Sequence, residues 1–238
     1  MTMPTLVLLA GNMCDQRVWR DMPCALAPLA VHPDLTRDDT ISAMARRTLA
    51  ETEGMLIPIG LSMGGIVALE MARQAPARIV GMVLSDTNAG ADLPERAAAR
   101  PKQQERVREG ALETLVADEL KPAYLAVANR DDQPLRALIL QMAVDLGEDV
   151  FVRQSEALRT RADLRDVLDM FGGPILLTCG AEDRLCPPEW HHAMAARCAN
   201  ARVEIIDGSG HLLPLEQPGE FWARVTAWLG QHWGMKLG

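Results

Sequence analysis

Residues 55–70, MLIPIGLSMGGIVALE, constrain the fold of this 238-residue chain more than any other stretch. An apolar run of strand length ends in GLSMG at 60–64 and passes directly into apolar residues at helical spacing, Ile66, Leu69, Ala72 and Ala75, before Pro76. A G-x-S-x-G pentapeptide flanked in this way reads as a strand, a sharp turn and a helix, with the serine at the turn. The turn strains the backbone at Ser62, and side chains two positions before and after it would collide with neighbouring backbone, which makes glycine necessary at 60 and 64. The Ser62 hydroxyl is thereby lifted off the sheet. The N–H groups that open the helix, and the positive end of its dipole, face the same point, so a negative charge forming there is stabilised.

Short continuous apolar runs recur on both sides of this unit: TLVLLA at 5–10, IVGMVL at 79–84, PILLTC at 174–179 and RVEIID at 202–207, with a weaker run at 29–32. Runs without alternation mark strands buried on both faces of a parallel sheet. Helical spacing lies between them, at 41–51 behind a Thr40 or Asp39 cap, from Pro187 to Cys198, and over 218–233. Strand, helix and strand in that succession make right-handed crossovers. Pro23 and Pro28 interrupt the segment after Trp19, so a helix there starts late or kinks. Pro58 is discordant, because it removes a ladder N–H from a run that reads as a central strand, and a bulge is expected there.

Between residues 89 and 171 the short apolar strands vanish. Leu112, Leu115, Val116, Leu120 and Tyr124, then Leu135, Leu138, Ile139, Met142 and Leu146, then Val150, Val152 and Leu158 recur at helix-like intervals. The expected fold is α/β: a mostly parallel central sheet with helices on both faces, built from residues 1–88 and 172–238. Residues 89–171 form a helical cap inserted over the sheet's carboxyl edge, where such sheets place their sites.

A net charge of −8 opposes nucleic-acid binding, which needs clustered Lys and Arg. The five cysteines are odd in number and scattered without a C-x-x-C pair, which favours reduced thiols and a cytoplasmic location. The apolar run at 6–10 is too short, and lacks a preceding basic residue, for a signal peptide. No run reaches the length of a membrane span, so no membrane partner is expected.

A serine hydroxyl is a weak nucleophile until a base takes its proton. His32, His191, His192 and His232 read as strand or helix residues, whereas His211 lies in a glycine-flanked loop beyond the last strand, at the same edge as Ser62. An imidazole acting as base needs an acceptor on its other nitrogen. Asp183, after the strand at 174–179, is the first candidate; Asp86, after the strand at 79–84, is its rival, and Glu182 is adjacent. The order Ser62, Asp183, His211 is the serine, acid, histidine order of one hydrolytic triad.

GLSMGG at 60–65, GAED at 180–183 and GSGHLLPLEQP at 208–218 resemble the alpha/beta-hydrolase superfamily, in the branch of small capped serine esterases and C–C or enol-lactone hydrolases. The resemblance implies attack by Ser62 on a carbonyl, proton transfer through His211 and hydrolysis of an acyl-enzyme, with no cofactor or metal. It also implies an oxyanion hole from the backbone N–H of Met63 and of Asn12, although Ala10 stands where the family usually has histidine. The family's leading hairpin is not expected here, since residue 5 already begins the strand before the oxyanion loop. Serine in place of aspartate at 62 argues against dehalogenase and epoxide hydrolase chemistry. The expected substrate is a small carboxylic ester. A cation in the pocket would favour the C–C or enol-lactone alternative, with Arg130, Arg153, Arg159 and Arg161 as cap candidates, and a slow-turnover ligand sensor is the non-enzymatic alternative.

Overall fold

The computed structural model describes residues 3–120 and 124–234. Strands β1 (Thr5–Leu9), β2 (Ala30–Val31), β3 (Leu56–Leu61), β4 (Met82–Ser85), β5 (Ile175–Gly180) and β6 (Ala201–Ile206) form one sheet in the order β2-β1-β3-β4-β5-β6. Every neighbouring pair is parallel. The helices are α1 (Ile41–Ala50), α2 (Met63–Gln74), α3 (Pro94–Arg106), α4 (Leu112–Thr114), α5 (Gln133–Leu146), α6 (Glu148–Arg159), α7 (Arg165–Met170), α8 (Pro188–Ala195), α9 (Leu213–Glu216) and α10 (Pro218–Trp233). Thr40 caps α1, its hydroxyl accepting from Ala43 N–H. The prolines at 23 and 28 leave only 3-10 turns between β1 and β2.

Alternation along the strands sorts the core into two layers. Val7, Leu9, Met82, Leu84, Ile175 and Leu177 pack with α1, α2 and α7 on one face. Leu6, Leu8, Ile57, Ile59, Val83 and Leu176 pack with Phe221, Trp222, Val225 and Trp228 of α10 on the other. A third cluster joins Val107, Leu112, Leu115, Val116, Ala143, Val150 and Phe151 of the inserted segment with Met13 from the loop after β1.

From the Leu56–Ile79 bridge to the Ile59–Val83 pair the β4 side carries one residue more than β3, so the expected bulge is present, on the strand facing Pro58. β3 runs unbroken past it against β1, and on its other side the ladder to β4 is interrupted between the Leu56–Ile79 bridge and the Ile59–Val83 pair. The missing N–H falls where the ladder is open. The same interruption delays β4 to Met82, with the Trp228 and Trp233 rings packed against the backbone at Gly81.

The segment between β4 and β5 holds α3 to α7. Its helical run is irregular: it widens into π-type turns at Val107–Ala111 and Leu115–Leu120, and Gly110 takes φ 89°. Its last part departs from the rest, since Leu164, Val167, Leu168 and Phe171 pack with α2 in the core of the sheet.

Candidate active site

Ser62 adopts φ 52° and ψ −113° between β3 and α2. A methyl group on Gly60 would overlap the Gly64 carbonyl, and one on Gly64 would overlap the Leu9 carbonyl, so both glycines are dictated by backbone approaching backbone. The strained turn is held from the neighbouring strand: Ser62 N–H donates to Ser85 O at 2.9 Å, and Ser62 O accepts from the Thr87 hydroxyl at 2.6 Å. Met13, Ser62 and Asp86 are the non-glycine residues with positive φ among those described, and each directly follows or lies just beyond a strand at the carboxyl edge.

His211 Nε2 lies 2.9 Å from Ser62 Oγ, and His211 Nδ1 lies 2.8 Å from Asp183 Oδ2. Asp183 Oδ1 accepts from Leu185 N–H at 2.8 Å and Cys186 N–H at 2.9 Å. Burial alone would raise this carboxyl, but the imidazole and the two N–H donors outweigh it and hold Asp183 below the usual carboxylate range. An ionised Asp183 requires the proton on His211 Nδ1, which leaves Nε2 to accept from the serine hydroxyl. The histidine loop is itself clamped: Glu216 accepts from Gly210 N–H at 2.8 Å and from Ala126 N–H at 2.7 Å, and His211 N–H donates to Tyr124 O at 2.6 Å.

Asp86 meets different partners. Its carboxyl accepts from Gly180 N–H at 2.9 Å and from the Ser85 hydroxyl at 2.7 Å. Burial, then the charge of Asp183, push it well above the ordinary carboxylate value. Glu182 turns to the inserted segment, accepting from Val127 N–H. His191, read from the sequence only as a helix residue, is buried under the elbow and accepts from Thr87 N–H at 3.2 Å; desolvation drives it down to about 4.

Ser62 and His211 open onto a cavity of about 380 Å³ that Gly11, Asn12 and Cys14 also line. Met63 is the first residue of α2, so its N–H has no acceptor within the helix. Across the cavity stand Arg96, Arg100, Tyr124 and Arg161. Of the four arginines singled out in the sequence, Arg130 donates to Leu125 O, Arg153 to Thr36 O and Arg159 to Glu156. Arg161 does line the cavity, but its guanidinium is spent on Asp92 and on the Gly90 and Leu158 carbonyls. The cation that sequence reasoning missed is Arg96, which donates to Leu185 O, lies 5.8 Å over the Trp190 ring and has no carboxylate within ion-pair distance among the described residues. No signal on the helix 94–106 distinguishes it from the other charged residues there.

Two clusters bring metal-ligating atoms within 4.8 Å of one another, Asp183 with Cys186 and His211, and Asp86 with Cys179 and Asp183. Burial pushes both thiols up, so neither is a thiolate, and the Cys179 thiol donates to carbonyls. A protonated thiol is a weak ligand for a cation.

A family model described as the alpha/beta hydrolase family matches residues 6–225. Among curated proteins, the pimeloyl-[acyl-carrier protein] methyl ester esterase of Cronobacter sakazakii is 28% identical, over 91% of this chain and 89% of that protein. The protein of that name from Xanthomonas campestris pv. campestris is 30% identical, over 87% of this chain and 88% of its own. Among solved structures, a thermophilic esterase from Thermogutta terrifontis superposes with a TM-score of 0.88 at 28% identity, covering 97% of this chain and 90% of that one. An enol-lactonase from Burkholderia xenovorans, at 23% identity over 96% of this chain and 92% of that one, shares the fold with a TM-score of 0.83.

Proposed function

The chain belongs to the alpha/beta-hydrolase family and is a carboxylic ester hydrolase, and on that premise we propose that it cleaves small esters through an acyl-enzyme on Ser62. The observation that carries this reading is the unbroken relay from Ser62 Oγ to His211 Nε2, 2.9 Å, and from His211 Nδ1 to Asp183, 2.8 Å. As Oγ attacks the carbonyl carbon, Nε2 takes its proton and Asp183 stabilises the imidazolium. The tetrahedral oxyanion rests on the N–H groups of Met63 and Asn12. Its collapse breaks the C–O bond, and His211 returns the proton to the leaving alcohol. Water then attacks the acyl group with His211 again as base, releasing the carboxylic acid and restoring Ser62. Residues 89–171 serve as the cap that shapes the acyl pocket, and Asp86, bonded to Gly180 N–H and Ser85 and not to His211, takes no part in this cycle.

The methyl ester in the relatives' name makes short alkyl esters the first substrates to try. A second reading, cleavage of an enol lactone or a C–C bond in an anionic substrate, is favoured by Arg96, a cavity-lining cation without a carboxylate partner among the described residues. No helix is long and apolar enough to cross a membrane among the described residues, and a cytoplasmic enzyme acting on a free small molecule fits this reading. Steady-state turnover of p-nitrophenyl acetate and butyrate tests it. Ser62→Ala is expected to lower kcat by about 10⁶-fold. A Ser62→Ala protein that keeps its turnover would remove the acyl-enzyme, and tight ester binding without turnover in the parent protein would favour a ligand sensor.

A further inference from the structure

The loop after β1 is held by a residue 141 positions away. Met13, in the left-handed region at φ 52°, donates its N–H to Gln154 Oε1 at 2.8 Å, and the same oxygen accepts from Asn12 Nδ2 at 3.2 Å. Gln154 lies on α6 and is 1% exposed, and its amide nitrogen donates to Leu35 O at 3.2 Å, which fixes which end of the amide faces the loop. The Met13 side chain is fully buried in the core cluster of the inserted segment, with Val107, Leu115, Ala143 and Phe151. Backbone and side chain of one strained residue are thus both gripped by the segment that covers the site.

The geometry points to Gln154 as a positioning residue through which the helical insertion sets the oxyanion loop, with Met13 as the apolar half of the same clamp. The inference rests on the hydrolytic reading above. A residue with positive φ relaxes unless its surroundings hold it, and the turn that carries Asn12 to the cavity ends in the bond between Cys14 N–H and Gly11 O, 3.1 Å, which spans Met13. Without Gln154 the Met13 N–H is buried without an acceptor, so the turn reorients toward one and carries the Asn12 N–H with it. An oxyanion donor moved by a fraction of an ångström stabilises the transition state less while binding the ground-state ester as before. The covering segment therefore acts on kcat as well as on substrate fit.

Gln154→Met, similar in volume and unable to accept from either N–H, is the direct test. We expect kcat on p-nitrophenyl acetate to fall about 10- to 100-fold with KM within about threefold. The inhibition constant of phenylboronic acid, whose tetrahedral adduct on Ser62 places an oxygen at the oxyanion position, is expected to rise by the same factor. Gln154→Glu, which keeps the accepting oxygen, is expected to restore kcat to within about threefold of the parent. Met13→Ala tests the apolar half and keeps the experiment decisive should Gln154→Met fail to melt cooperatively; it too should lower kcat and weaken the boronate. A folded Gln154→Met or Met13→Ala with parental kcat and boronate affinity overturns the clamp, as does a loss confined to KM or a Gln154→Glu as impaired as Gln154→Met. If these variants are unchanged while Ser62→Ala is inactive, only the clamp fails; if Ser62→Ala still turns over, the hydrolytic reading fails with it.

Discussion

On the sheet side of the cavity Ser62, Asp183 and His211 lie in turns just past strand ends and are fixed by backbone, whereas on the side of the insertion Arg96 comes from α3, Tyr124 from a turn and Gln154, behind the loop of residues 11–14, from α6, and they act through side chains or a loop carbonyl. Strand register sets the first group. β3, β5 and β6 are parallel and in one sheet, so their carboxyl ends coincide, and the elbow, the Asp183 turn and the histidine loop need only a few residues each to converge. The second group depends on how α3, α5 and α6 pack on one another and on Met13, a docking with no periodicity to enforce it. The difference teaches that the groups proposed for the chemistry and those proposed for substrate choice sit in structurally separate halves, joined at the loop of residues 11–14.

The sharpest break of this comparison lies wholly on the sheet side. Asp183→Asn is expected to lower kcat about 10⁴-fold, because an amide donates to His211 Nδ1 and favours the wrong tautomer. Asp86→Asn keeps an oxygen that can accept from Gly180 N–H and removes no partner of His211, so kcat should stay within about tenfold. Steady-state kinetics of the two variants decide between the carboxyls, and the reverse ranking would hand the role of acid to Asp86.

The support beneath the elbow is pH-sensitive. His191 is held neutral by burial, with its folded value near 4 against 6.5 when exposed. A histidine depressed on folding contributes fully above about pH 6.5 and loses that contribution as pH falls toward 4. Between pH 7 and 5 the loss is about 2 kcal/mol, which should appear as a smaller pH dependence of denaturant midpoints in His191→Gln than in the parent protein. Identical slopes would show that another group governs acid sensitivity.

The smallest effect belongs to the cap side. Arg96→Ala is expected to raise KM about tenfold for an ester with a distal carboxylate and to leave neutral p-nitrophenyl esters within about twofold. Equal losses on both substrates would place Arg96 with the groups that hold the fold.

Much of the sheet side was legible in the chain. The glycines at 60 and 64 are required because backbone passes within contact of backbone there, and that steric demand is local enough to be written in five residues. The strands at 5–10, 174–179 and 202–207 lie within one residue of those observed, since burial on both faces leaves a continuous apolar run. The strand at 79–84 was read too early because its start is cut by tryptophans from α10, a contact between distant segments. The bulge expected from Pro58 is present, on the β4 side of the ladder. Of the four cap arginines named from the sequence Arg161 lines the cavity, and Arg96 escapes such a reading because a guanidinium's role depends on which carbonyls and carboxylates fold against it.

Local physics, namely apolar periodicity, proline and glycine punctuation and the strained serine turn, determined from the sequence alone that this chain makes a parallel sheet with a serine hydroxyl at its carboxyl edge. The tertiary structure decided which carboxyl meets His211, which cation faces the cavity and that Gln154 grips the loop at Met13. Those outcomes turn on distances between residues far apart in the chain. Two buried carboxyls at adjacent strand ends look alike in sequence, and only the side chains and N–H groups packed around each one hold Asp183 below the ordinary carboxylate range and push Asp86 above it.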